Sequence, residues 1–232
     1  MQVFIPSWFY GFDSLIYFIG SMIGFLLNYY FHKIHSLSLE KKHMYLGLGF
    51  MLLSTGLLIL SITDAYSYFV FKNCRTACTL GLVDKVFSVE DFSYFVYFGL
   101  SIFAYTLFIF TYEYENIKFL KFFLLLFFVY LALILILLPK AENYGLWYSY
   151  VGYYNLISLL MLIFVSFKSF VNYNETKTLS SLLVMSGFIF ISLFHIFYLF
   201  SFTNELMYVL SHMFLLIGFS TFLMMVLRVT RK

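Results

Sequence analysis

The chain has 232 residues, of which 63% are hydrophobic, 24% aromatic and only 11% charged, with a formal net charge of +3. A soluble domain carries roughly 25% charged residues, so this composition excludes an ordinary water-soluble enzyme. The small basic excess gives no support to nucleic-acid binding, and lipid is expected to be the main solvent.

A membrane-crossing helix needs about 20 residues. The hydropathy pattern predicts seven such spans, at 9–31, 43–70, 91–112, 119–138, 145–170, 180–202 and 205–228, which make residues 1–232 a single transmembrane domain. Each reads as a helix, because hydrocarbon cannot satisfy an open sheet edge and the short alternating segments of a barrel are absent. The predicted fold class is therefore an all-α, seven-helix bundle of a multi-pass cell-membrane protein. No room remains for a soluble catalytic or output domain.

The first span follows Pro6 and begins near Asp13; it has no basic leader and no small-residue cleavage site, and is expected to be retained. Asp13, Tyr17, Ser21, Gly24 and Asn28 fall on one face. Gly20-x-x-x-Gly24, and Gly47-x-Gly49 in the next span, permit close helix approach. The connection between them holds His32, Lys33, His35, Lys41, Lys42 and His43, a basic segment suited to anionic lipid. On the second span Ser54, Ser61, Asp64 and Tyr68 share a face.

The longest predicted loop, Phe71 to Glu90, contains Cys74 and Cys78, the only cysteines. A loop-stiffening disulfide or two free thiols fits this pair better than a metal site, since a structural zinc wants four ligands. Ser88 with Asp91 three residues later has the pattern of a capping box opening the third span. Within that span Tyr94, Tyr97, Ser101 and Tyr105 line up. The fourth span offers only Tyr130 and ends at Pro139, so it is expected to be the most lipid-exposed helix.

The fifth contributes Asn155 and Ser158, and the glycosylation-like Asn174-Glu175-Thr176 follows it on the inner side. Ser192, His195 and Tyr198 recur on the sixth, and Glu205, Tyr208 and His212 on the seventh, which Thr203 or Asn204 is placed to cap. Trp8, Trp147 and Tyr148 suit the outer boundary.

Basic residues orient the bundle. Ten of them (Lys33, Lys41, Lys42, Lys118, Lys121, Lys168, Lys177, Arg228, Arg231 and Lys232) fall on one side, against Lys72, Arg75, Lys85 and Lys140 on the other. This predicts an outer N-terminus and a cytoplasmic C-terminus. His195 and His212 then sit at matching depth, about 10 Å below the outer surface.

Ionisable groups inside a membrane are costly and mark candidate sites. Five polar stripes are expected to converge on an outward-facing pocket whose ligand-binding residues are His195, His212, Asp64, Asp13, Glu205, Tyr208, Tyr198 and Tyr17. The plainer alternative is that the same groups hold helices together. A metal ion is one candidate ligand, with His195 and His212 as first ligands and Asp64 or Asp13 as a third. No cofactor is implied by a motif, and a haem held between helices wants histidines at several depths.

The layout resembles that of heptahelical receptors and microbial rhodopsins in architecture alone. Glu205 to Arg228 contains no lysine for a retinal Schiff base, Tyr112-Glu113-Tyr114 lacks the receptors' acidic-Arg-Tyr signature, and the last span lacks their Asn-Pro motif. Seven-helix hydrolases of the ceramidase and adiponectin-receptor type carry a His-x-x-x-His pair that this chain also lacks. The leading expectation is a small sensor or receptor-like module that binds a small ligand, proton or metal and signals through a protein partner or its own oligomer in the bilayer. A small-solute permease comes second, with a polar path through Asn28, Ser54, Ser101, Asn155 and Ser158. An intramembrane metal-dependent hydrolase or a structural subunit of a membrane complex follows, and the reading leans away from an enzyme.

Overall fold

The computed structural model describes residues 6, 8–9, 11–73, 80–113 and 144–230. They form six helices: α1 (Phe12–Ser38), α2 (Lys41–Asn73), α3 (Leu80–Glu113), α4 (Tyr144–Thr176), α5 (Leu179–Leu199) and α6 (Glu205–Thr230). All six contain a segment long and apolar enough to cross a membrane. In such a setting the backbone must satisfy its own hydrogen bonds, and a helix does so within one segment. The predicted fourth span, 119–138, lies outside the described residues, as do Cys74 and Cys78.

Helix ends follow local chemistry. The α1–α2 connection turns at Leu39, whose φ of 56° is left-handed and whose N–H bonds the His35 carbonyl at 2.8 Å. Lys177 (φ 49°) does the same after α4, bonding the Tyr173 carbonyl at 2.8 Å. Thr178 Oγ1 then accepts from the Ser181 N–H at 3.2 Å to cap α5. Of the two predicted caps for α6, Asn204 makes the bond, accepting from the Leu206 N–H at 2.9 Å.

One boundary differs from expectation. The helix of the third span starts at Leu80, so Ser88 and Asp91 lie inside it and do not cap it, and much of the predicted Phe71–Glu90 loop is helical. The apolar stretch itself begins at Phe92, close to the predicted edge. Between 81 and 91 there is no proline to stop a helix, and the polar residues there mark the water boundary instead of a helix end.

The helices close into a ring: α1 packs on α2, α2 on α3, α3 on α4, α4 on α5, α5 on α6, and α6 returns to α1. Polar groups bond across most of these seams. Ser14 Oγ donates to the Ser61 carbonyl at 2.7 Å while Ser61 Oγ donates to the Ser14 carbonyl at 2.8 Å, a reciprocal strap between α1 and α2. Thr63 and Ser93 hydroxyls pair at 2.7 Å across α2 and α3, and Tyr112 with Ser169 at 2.7 Å across α3 and α4, beside the Lys168–Glu113 ion pair. The outer surface is apolar, with Leu15, Met22, Ile62, Leu160, Phe167 and Met224 all exposed. Inward polar and outward apolar is the distribution lipid demands.

At the centre of the ring Phe50 (α2), Phe108 (α3), Phe188 (α5) and Phe222 (α6) form a closed square of aromatic contacts. Neighbouring ring centroids are 4.9, 5.2, 5.0 and 5.0 Å apart, and all four side chains are buried. Close backbone approach makes room for it: a Cβ on Gly187 would come within 2.7 Å of the Phe222 ring.

Candidate functional site

Above this aromatic square, toward the end where α1 begins, the polar stripes meet in two separate hydrogen-bonded sets. The first joins α1 to α6. His212, fully buried, donates through Nδ1–H to the Tyr208 carbonyl at 2.8 Å, so its Nε2 is an acceptor and takes the Tyr17 hydroxyl at 2.7 Å. The Tyr208 hydroxyl in turn donates to Asp13 Oδ2 at 3.0 Å. Asp13 is buried, and its Oδ1 accepts from the backbone N–H groups of Gly11 at 3.0 Å and Ser14 at 2.8 Å. A carboxylate at a helix N-terminus meets unpaired N–H donors and the positive end of the helix dipole there.

The second set joins α3, α4 and α5 around His195, also fully buried. Its Nδ1–H donates to Asn155 Oδ1 at 2.7 Å, and its Nε2 accepts the Tyr105 hydroxyl at 2.8 Å. Both histidines are thus held as the Nδ1–H tautomer, with a carbonyl oxygen on one nitrogen and a tyrosine hydroxyl on the other. The Phe194 ring lies against both imidazoles, at 4.8 Å from His195 and 6.1 Å from His212.

Of the remaining predicted residues, Tyr198 and Asp64 lie near the first set. Tyr198 is buried, its ring 5.9 Å from that of Tyr208 and 6.2 Å from His212. Asp64 is half-buried and within electrostatic reach of Tyr17, Tyr94 and Tyr208. Glu205 is exposed in the first turn of α6. Among the described residues no group of three or more His, Cys, Asp or Glu side chains is gathered for a metal ion. Sequence reasoning did not pair His195 with Tyr105 or Asn155, although the i, i+4 spacing of Tyr97, Ser101 and Tyr105 marked the right face.

Phe9 closes the first set from the terminal side. It is buried, with its ring edge-on to Tyr208 at 5.9 Å and to His212 at 5.7 Å. The chain reaches this position through Gly11, whose φ of 96° suits glycine and whose open side faces the Tyr68 ring. A separate groove of about 340 Å³ runs between the start of α1 and the end of α2, lined by Gly11, Phe12, Leu15, Ala65, Tyr68 and Phe69. Exposed Phe12, Leu15 and Phe69 make it part of the lipid-facing surface.

Taken together, apolar exterior, polar interior and six bilayer-length helices define the class: an all-helical, multi-pass membrane bundle. No protein-family model matches the chain, and no curated protein and no solved structure matches it either.

Proposed function

We propose that the protein is a small receptor-like sensor of the cell membrane, with an outward-facing site built on Asp13, Tyr17, Tyr198, Tyr208 and His212 that takes a proton or another small cation. The observation that carries this reading is that Asp13, Tyr208, His212 and Tyr17 are tied together across the α1–α6 seam, Tyr208 bonding Asp13 through its hydroxyl and His212 through its backbone carbonyl. Every hydrogen-bond partner of Asp13 among the described residues is a neutral donor, namely the Gly11 and Ser14 N–H groups and the Tyr208 hydroxyl, and a buried carboxylate held by neutral donors attracts positive charge. A proton on His212 Nε2 would turn that nitrogen from acceptor to donor, so the Tyr17 hydroxyl would have to turn its own proton away and accept from the imidazolium instead of donating to it. The α1–α6 seam is therefore the element whose packing would respond. The change would pass to a protein partner or a second copy packed against that seam.

The aromatic square favours a sensor over a permease, since four packed phenylalanines interrupt any polar path toward the other end. Two further features support seven crossings. The Tyr97–Tyr154 ring contact and the Tyr112–Ser169 bond advance by the same number of residues along α3 and α4, so these neighbours run parallel. Parallel neighbours need a return crossing between them, which is the place of the predicted span 119–138. The excess of basic residues on the side of the α1–α2 turn supports an outer N-terminus.

Thermal unfolding of the purified protein in lipid nanodiscs tests the reading. The midpoint is expected to shift with pH, or with small organic ammonium ions, in the wild type and to lose that response in Asp13→Asn and His212→Gln. Uptake of labelled solute into vesicles with no such response would establish the permease instead.

A further inference from the structure

A third polar cluster lies between α3 and α4, apart from the proposed sensing site and independent of that reading. Tyr97 and Ser101 sit one turn apart on α3, and Tyr154 and Ser158 one turn apart on α4. The two tyrosine rings approach to 6.2 Å, and Tyr154 is held in place by stacking on Phe98 at 3.7 Å between centroids. Its hydroxyl comes within reach of those of Tyr97, Ser101 and Ser158, and that of Tyr97 within reach of Ser101. Ser101 is satisfied, donating to the Tyr97 carbonyl at 2.8 Å. Tyr97, Tyr154 and Ser158 are 3%, 1% and 0% exposed, and among the described residues none of these approaches gives their hydroxyls the distance and angle of a complete hydrogen bond.

Three converging hydroxyls that approach without bonding are costly in an apolar interior. Each can donate and accept, so mutual repulsion does not explain the arrangement. A molecule that both donates and accepts can satisfy all three. A neutral one suits the site, because His195, with its ring 6.0 Å from that of Tyr154, is neutral by its hydrogen bonds. An ion there would be an unpaired buried charge. We propose that Tyr97, Tyr154 and Ser158 form an internal hydration site holding ordered water that bridges α3 and α4. Buried waters commonly make about three bonds to otherwise unsatisfied groups. The water joins α3 and α4 beside the His195 set.

The sign of a stability change tests this. If water bridges the hydroxyls, Tyr97→Phe and Tyr154→Phe each strip a partner from it, and each lowers the thermal midpoint by about 2–4 °C, with the double variant losing less than the sum. If the hydroxyls are simply unsatisfied, removing one raises the midpoint or leaves it unchanged, and the proposal fails. X-ray radiolytic footprinting of the wild-type protein in nanodiscs provides a check that needs no variant. Radicals generated from bound water are expected to modify Tyr97 and Tyr154 while Tyr17, satisfied by His212, stays unmodified. Absence of modification at both tyrosines would overturn the hydration site.

Discussion

The two tyrosine–histidine pairs are chemically alike but tie together different parts of the bundle. Tyr17–His212 bonds α1 to α6 and closes the ring, whereas Tyr105–His195–Asn155 bonds α5 inward to α3 and α4. Because the two sets share no hydrogen-bond partner, a double-mutant cycle should separate them. Tyr17→Phe with His212→Ala is expected to show a coupling of ~0.5–3 kcal/mol in unfolding free energy, while Tyr17→Phe with His195→Ala adds within about 0.5 kcal/mol. Asp13→Asn should destabilise by ~1–3 kcal/mol, since its carboxylate holds two backbone N–H groups as well as Tyr208. At this scale partnership was not legible. Counting residues from the span ends put both histidines at one level, but the rotation of α5 and α6 about their own axes sends one imidazole to α1 and the other to α3 and α4. Asp13 was read as a member of the pocket; its carboxylate is buried against the Gly11 and Ser14 N–H groups at the start of α1.

Among elements, the small residues show how sequence spacing translates into packing. In the predicted Gly20-x-x-x-Gly24 pair, a Cβ on Gly24 would run into the Ser54 hydroxyl, and one on Gly20 would touch Leu57 at 3.4 Å. That contact seats α1 on α2. Gly187→Ala is expected to cost ~1–3 kcal/mol, because Phe222 cannot withdraw from a filled aromatic square. By contrast, Gly99 and Gly152 have open space around them among the described residues, and Gly99→Ala should be neutral or stabilising by up to about 1 kcal/mol through helix propensity. Thermal or denaturant unfolding of both variants checks the contrast. The α1–α2 turn is also titratable. Lys42 reaches Glu40 at 2.6 Å and holds its carboxyl below the usual range, so the small stabilisation it supplies is present above the ordinary glutamate pKa and is lost as pH falls through the lowered value. Glu40→Gln should remove that acid-side loss from a pH series of melting temperatures. The start of α3 was not legible, since polar residues at a membrane boundary resemble a cap whether or not the helix continues into water.

For the whole molecule, the ring order and the central phenylalanines govern what the bundle can do. Phe50→Ala together with Phe188→Ala would open a cavity at the middle of the ring and is expected to destabilise by more than the ~3–5 kcal/mol of one such truncation. If the fold survives, small-solute leakage through reconstituted vesicles should rise above that of the wild type. Orientation has its own test. With Cys74 and Cys78 replaced by serine, a cysteine introduced by Thr203→Cys in the α5–α6 turn should react with a membrane-impermeant thiol reagent on intact cells, and one introduced by Ser38→Cys should react only after permeabilisation. Labelling of Ser38→Cys alone on intact cells would reverse the proposed topology.

Hydrophobic length, the shortage of charge and the 3.6-residue recurrence of polar groups already require apolar helices with polar stripes, because a backbone in hydrocarbon has no other way to satisfy itself. These are properties of each segment taken alone. Which stripe meets which, that Phe194 stands between the two imidazoles, that four phenylalanines from four helices close into a square, and that hydroxyls of α3 and α4 converge, depend on how the helices rotate and pack against one another. That rotation is set by many small contacts summed over neighbours distant in the chain, so only the tertiary structure decides it.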